Sequence, residues 1–283
     1  MRVFRTTLVL AALTLFLMLI GQYLGGRNGM TIGLGFAIVS NAFAYFFSDK
    51  IALMSSGAKP VTRQQLPRLY AVMERLAAKA SLPLPKLYVV PEAAPNAFAT
   101  GRNPRHASVA VTQGLLELMN DDELEGVIAH ELSHVRNYDI LISSVAATLA
   151  GAITWIAHWG PWLGGGDDDR ERGGGGILGL LLFFLAPLGA FLLQLALSRQ
   201  REYSADETGA RMVGNPYGLI SALEKLGAYN KRIPTSAISP STSSLCIVRP
   251  LFGRGGASSV FSTHPALPDR IAKLREMTIV PQR

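Results

Sequence analysis

The strongest pattern along the chain is four long stretches without a single Asp, Glu, Lys or Arg, at residues 6–26, 28–48, 140–166 and 173–198. Each reaches the roughly 20 residues a helix needs to cross a ~30 Å hydrocarbon layer. The first follows a basic "MRVFR" and has the outline of a signal peptide. Its apolar part is long for one, and a second run follows after a short turn, so it reads as a retained span. Buried core helices are the other reading of the third and fourth runs. Their length, and the small amount of soluble chain available to cover them, argue for membrane spans. The pattern predicts a transmembrane hairpin over 1–48, a polar segment over 49–139, a second hairpin over 140–198 and a second polar segment over 199–283.

The polar segments have periodicities of their own. Residues 64–81 have apolar positions at helical spacing. "PKLYVVP", "NAFATG" and "HASVAVT" read as three short strands of a small antiparallel sheet, the last two separated by the turn-like "RNPR". "GLLELMNDDELEGVIAHELSHVRNYD" reads as helix, break, helix. Asn120 or Asp121 is the expected N-cap of the second helix, and acids fill its first turn. After the second hairpin come the helical "SRQREYSADETGARMV", the amphipathic "PYGLISALEKLGAYNKR", a Ser-, Pro- and Gly-rich loop over 233–262, and a short helix in "ALPDRIAKLREM". The fold class expected is α+β, mainly α, in a protein with about four transmembrane helices.

Composition agrees: 49% of the 283 residues are hydrophobic and 17% charged, with mean hydropathy +0.26. The net charge is +7. Residues 199–283 hold twelve basic and six acidic residues, whereas 49–139 hold ten of each. Lys and Arg concentrate on the N-terminal tip and the two polar segments, which places all three in the cytoplasm. Trp155, Trp159 and Trp162 fall near the end of the third run, as an interfacial anchor at the outer surface would, with ordinary helix packing as the alternative. The single Cys246 excludes an internal disulfide and a cysteine metal cluster. No aromatic–basic motif points to nucleic acid, and anionic lipid is the simpler counterpart of the basic excess.

The candidate chemistry sits in "HELSH". On a helix, His130 and His134 lie about 40° apart around the axis and about 6 Å apart along it, so both can reach one metal ion. Glu131 lies about 100° round, badly placed as a third ligand but able to reach a water on that ion. This is the arrangement of a zinc hydrolase, in which the metal acidifies water and the glutamate takes its proton. A pair of surface histidines is the competing reading, and the apolar flanks of the motif argue against it. The third ligand must lie on the same side of the membrane. The run that begins just after His134 returns, through the second hairpin, just before Glu202. Glu202 is therefore the candidate third ligand. Asp206, one turn on, is a candidate hydrogen-bond partner of a ligand histidine. A solvated acidic face is the alternative for that pair.

With these residues in hand, the chain resembles the HtpX-type membrane metallopeptidases, a family shared with the CAAX prenyl proteases. The resemblance runs through "PNAFATG", "AVTQGLLELMNDDELEGVIAHELSHV", "SRQREYSADETGA" and "STHPALPDRI". It implies a cytoplasmic zincin-like (gluzincin) domain in a multi-pass protein of the bacterial inner membrane. It also implies one Zn2+ per chain on His130, His134 and Glu202, with Glu131 as general base. "NAFATG" would be an edge strand to which an extended peptide adds. Asn96 is a candidate for binding substrate carbonyls, an edge-strand role being equally open. His264 is a candidate for polarising the scissile carbonyl or approaching the zinc, with a structural role in its loop also open. Arg270 is expected to fix that loop, and His106 and His158 to be structural. Substrates would be damaged or unfolded membrane proteins, and partners the lipid bilayer and other quality-control proteases. A prenyl protease, a zinc-holding adaptor without catalysis and a metal transporter remain as rivals. The acidic "GGGDDDRERGGGG" turn departs from the family pattern and has no assigned role.

Overall fold

The computed structural model describes residues 2–141, 144, 199–232 and 265–278. The chain begins as helix α1, Arg2–Ser55, broken only at Gly25 and Gly26. Gly26 has φ +59 and ψ −143, a conformation open to glycine and closed to most side chains, and the chain doubles back there. The two arms lie side by side. Asn41 Nδ2 donates to Thr14 Oγ1 at 2.9 Å across 27 residues, and a Cβ on Gly21 would stand 2.1 Å from the carbonyl oxygen of Gly29. The runs at 6–26 and 28–48 are thus the arms of one helical hairpin, and the second arm continues past residue 48 to Ser55. Among the described residues, Gly25–Ser55 is the one helix long and apolar enough to cross a membrane. Ile32, Phe36, Ile38, Val39 and Phe43 on it are exposed. The run at 140–166 lies outside the described residues apart from 140, 141 and 144, and the run at 173–198 lies wholly outside them. So do the three tryptophans, Cys246 and the 233–262 segment.

Four short strands follow: β1 Lys59–Pro60, β2 Lys86–Val90, β3 Ala97–Gly101 and β4 Ala107–Thr112, in the order β1-β2-β4-β3. The expectation of an antiparallel sheet is corrected at its centre, where β2 and β4 run parallel, Lys86 opposite Ser108 and Val90 opposite Thr112. The cause is the connection after β2. The chain crosses to the outer edge, forms β3, and turns back through 102–106 into β4, which lies between β3 and β2 and points the same way as β2. This leaves β3 as the edge strand, antiparallel to β4.

Helix α2, Pro67–Lys79, begins three residues later than the periodicity predicts. Pro67 is preorganised for a first helical turn, and its ring holds Leu66 out of the helix. Helix α3 is Gln113–Leu118 and helix α4 Asp121–Arg136. Asn120 is the N-cap of α4 in a full capping box. Its side chain accepts from Glu123 N–H at 2.9 Å, and the Glu123 carboxylate accepts from Asn120 N–H at 2.9 Å. Ser221 and Lys225 satisfy the remaining capacity of this buried carboxylate and hold it below the usual glutamate range, outweighing its burial. Helices α5, Arg199–Val213, α6, Tyr217–Arg232, and α7, Leu267–Arg275, complete the described chain.

Helix α4 is the centre of the molecule. Leu124, Val127, Ile128, Leu132 and Val135 on it are fully buried against α2, the sheet, α5 and α6. Each such side chain stabilises the fold by about 1.5–3 kcal/mol relative to exposure. The approach of α5 to α4 is set by Gly209, where a Cβ would stand 3.0 Å from His130 N and 3.1 Å from Ala129 C. The other face of the sheet packs on the end of α1, where Ala52 and Leu53 meet Val90, Phe98 and Ala110.

Candidate active site

His130, Glu131 and His134 sit midway along α4 to near its end. His130 is 1% and Glu131 4% exposed. The close contact at Gly209 lays the first turns of α5 beside them and brings Glu202 (4% exposed) and Asp206 (3%) into the same pocket of charge. His130 Nε2 and His134 Nε2 face each other at 3.3 Å. Glu202 Oε2 lies 3.6 Å from the first and Glu202 Oε1 3.8 Å from the second. One donor atom from each of the three residues falls within 4.8 Å of the other two.

The outward nitrogens are held by carboxylates. His130 Nδ1 meets Asp206 Oδ1 at 2.8 Å, and His134 Nδ1 meets Asp139 Oδ2 at 3.4 Å. Each ring therefore gives its Nδ1–H to an acid and turns the Nε2 lone pair inward. Two lone pairs facing each other repel unless a cation lies between them. Nitrogens bound about 2.05 Å from a tetrahedral ion stand about 3.3 Å apart, which is the spacing found. Two imidazoles and a carboxylate fit a borderline divalent ion such as zinc, and the residues present therefore fit the metal the motif implies.

Arg270 is where the structure departs most from the sequence reading. The His264 loop it is expected to fix lies outside the described residues. Arg270 is 1% exposed and grips Asp206 with both arms, Nε to Oδ2 at 2.8 Å and Nη2 to Oδ1 at 2.6 Å. Its Nη1 stands 3.7 Å from Glu202 Oε2. The C-terminal α7 thus reaches into the ligand cluster. Asp139 was also not singled out by the sequence. Its signal is an acid five residues past His134 that ends the polar segment. Arg201 Nε, from α5, lies 3.7 Å from its other oxygen.

Burial lowers the proton affinity of His130, with Asp206 opposing. Burial also works against charge on His134, but Asp139, Glu202 and Glu131 outweigh it and raise its pKa. Asp206 is held below the usual carboxylate range because Arg270 outweighs its desolvation. Glu131 goes the other way. Desolvation pushes it up to about 8, helped by Glu202 and opposed by His134 and by a hydrogen bond from Ala99 N–H. That bond ties Glu131 to edge strand β3. Asn96 stands just before the strand, its main chain locked to Thr112 by bonds of 2.8 and 2.9 Å. His264 lies outside the described residues.

A profile of peptidase family M48 matches residues 62–278, most of the chain and every residue of this cluster. The chain belongs to peptidase family M48. A relative from Desulfatibacillum aliphaticivorans, named a protease HtpX homolog, is 52% identical over 274 residues, covering 95% of this chain and 88% of its own. One of the same name from Syntrophobacter fumaroxidans is 50% identical over 279 residues, covering 97% and 99%. Ste24p from S. mikatae shares the fold with a TM-score of 0.54 at 21% identity. The match covers 96% of this chain and 64% of that longer one. This M48 peptidase is accordingly a membrane metalloprotease, as the sequence resemblance implied.

Proposed function

We propose that the chain is a zinc-dependent endopeptidase of the bacterial inner membrane that cleaves peptide bonds of damaged or misfolded membrane proteins on the cytoplasmic side. The observation that carries the proposal is the convergence of His130, His134 and Glu202 around one point, with Glu131 beside it.

His130, His134 and Glu202 hold the ion, and Asp206 and Asp139 fix the imidazoles in the tautomer that leaves Nε2 free. Bound zinc supplies Lewis acidity, polarising the scissile carbonyl and making water more acidic. Glu131 takes a proton from the attacking water as its oxygen adds to the carbonyl carbon. As the carbon–nitrogen bond breaks, Glu131 returns that proton to the leaving nitrogen. Its raised proton affinity suits a group that must both accept and release a proton near neutral pH. Ala99 N–H holds it against β3, and an extended substrate pairing with that edge presents its main chain to the same carboxylate.

Three observations support the membrane setting. Helix Gly25–Ser55 is apolar enough to cross a bilayer. Glu202 follows the apolar run 173–198 by four residues. Lys and Arg concentrate on the two polar segments. A site whose residues flank the apolar runs beginning at 140 and ending at 198 is suited to chain emerging from the bilayer. The test is zinc content and cleavage of casein and of a model membrane protein by the full chain in detergent, with Glu202→Ala beside it. Loss of zinc and cleavage together supports the ligand set, whereas zinc retained at one per chain places the third ligand elsewhere.

A further inference from the structure

Two elements that enter the bilayer touch the same end of the sheet. Phe46 of α1 lies beneath Arg102, whose Cζ is 5.4 Å from the ring centroid. Ser144, inside the apolar run that starts at residue 140, has its Oγ 2.6 Å from Thr100 Oγ1 and accepts from Gly101 N–H at 3.3 Å. From Phe46, α1 runs on toward Ala52 and Leu53, which pack on Phe98 and Val90 farther along the sheet. The end where β3 stops, β4 starts and β2 begins opposite Ser108 therefore faces the bilayer. This placement rests on the membrane reading above.

The chemistry at that end is cationic and aromatic. Lys50, Lys86 and Arg105 are exposed and Arg102 is half-buried. Among the described residues none of these four is ion-paired. Elsewhere Arg63, Arg68, Arg75, Arg211, Lys225 and Arg275 each meet a carboxylate. The nearby Asp49 accepts instead from Lys50 N–H at 2.9 Å. Exposed Phe43, Phe46 and Phe47 lie just below, with Lys50 Nζ 5.3 Å from the Phe47 ring centroid. Aromatic rings at headgroup level with basic groups above them are the pattern of a membrane interface.

The turn that carries the arginines is preorganised. Asn103 Oδ1 accepts from His106 N–H at 3.1 Å and lies 2.9 Å from His106 Nδ1, and Pro104 is buried. Gly101 enters the turn at φ +140, where a Cβ would stand 2.3 Å from the His106 carbonyl oxygen. Little order remains to be imposed when an anion binds.

We propose that Lys50, Arg102 and Arg105, flanked by Lys86, form a binding surface for the phosphates of anionic phospholipid headgroups. The surface fixes the height of edge strand β3, and with it Glu131, above the bilayer. The test uses the full chain in neutral detergent, offered phosphatidylglycerol or phosphatidylcholine, with retained lipid counted by native mass spectrometry and zinc content measured on the same preparation. Wild type is expected to retain phosphatidylglycerol in excess. Arg102→Ala with Arg105→Ala should weaken that retention by about 25-fold, roughly fivefold per cation. Arg102→Lys with Arg105→Lys should keep it, as should Lys79→Ala, a charge removed from the last turn of α2. Equal retention of the two lipids by wild type would overturn the proposal. So would a lysine pair as weak as the alanine pair, or displacement of the lipid by millimolar inorganic phosphate. Equal retention with zinc intact removes the headgroup surface alone and leaves the peptidase reading standing.

Discussion

Replacing Arg270 by Met keeps the length and apolar stem of the side chain and removes its charge. The guanidinium is 1% exposed, holds both oxygens of Asp206 at 2.6 and 2.8 Å, and lies 3.7 Å from Glu202. Its loss leaves two buried carboxylates without their cation. Breaking a buried pair by removing one partner costs about 3–5 kcal/mol. For a chain of this size that corresponds to a fall of roughly 5–15 °C in the unfolding midpoint. The sign with pH follows from Asp206. Arg270 holds its folded pKa below 3.8, so the stability it contributes is present above that value and lost as pH falls through the lowered one. Without the guanidinium that carboxyl is left to its desolvation and its pKa rises above 3.8, so the variant alone loses stability as pH rises, and its deficit is larger at pH 8 than at pH 4. A divalent ion held by His130, His134 and Glu202 replaces much of the missing positive charge. The deficit should be large after chelation and much smaller in zinc. The assay is thermal unfolding in detergent, with zinc or with chelator, at both pH values. A chelated variant that melts within about 2 °C of wild type would refute the reasoning, because it would show that Asp206 does not depend on the guanidinium.

Other outcomes follow from the same contacts. Asp139→Ala should weaken zinc binding by about 10- to 100-fold in a competition with a fluorescent chelator, since His134 loses the acid that orients it. Chelated wild type should lose stability relative to Glu131→Gln as pH rises from 5 to 8. The folded carboxyl titrates at about 8 and keeps a proton that the unfolded chain, with an ordinary value of 4.5, has released. A flat difference across that range in denaturant melts would contradict the burial of Glu131. Gly209→Ala should lower stability by about 1–3 kcal/mol and zinc affinity with it, because the added methyl pushes α5 off the His130 backbone.

What the sequence disclosed, and what it hid, divides by the range of the interaction. The histidine pair was legible because i and i+4 on a helix are neighbours by geometry alone. Glu202 and Asp206 were legible because two apolar runs of membrane-spanning length were expected to return the chain to the side it left after His134. A cap at Asn120 or Asp121 was legible from residue type, and the bonds between Asn120 and Glu123 decide for Asn120. The parallel pairing of β2 with β4 was hidden, since strand order depends on which edge an irregular connection crosses to. Asp139 was hidden by backbone geometry. Tyr138 takes a left-handed φ of +58, ending α4 and letting Asp139 N–H reach the His134 carbonyl at 2.9 Å, and nothing in Tyr-Asp announces that turn. The role of Arg270 was hidden because its partners lie 64 and more residues away, a separation that no local pattern bridges.

In the proposed reaction Glu131 moves the proton while His130, His134 and Glu202 hold the ion. The most direct test is Glu131→Gln in the full chain, with zinc per chain and cleavage of a model membrane protein measured on one preparation. One zinc per chain is expected, as in wild type, with cleavage lowered by about 10²- to 10⁴-fold. Cleavage within a few-fold of wild type at full zinc occupancy would contradict it.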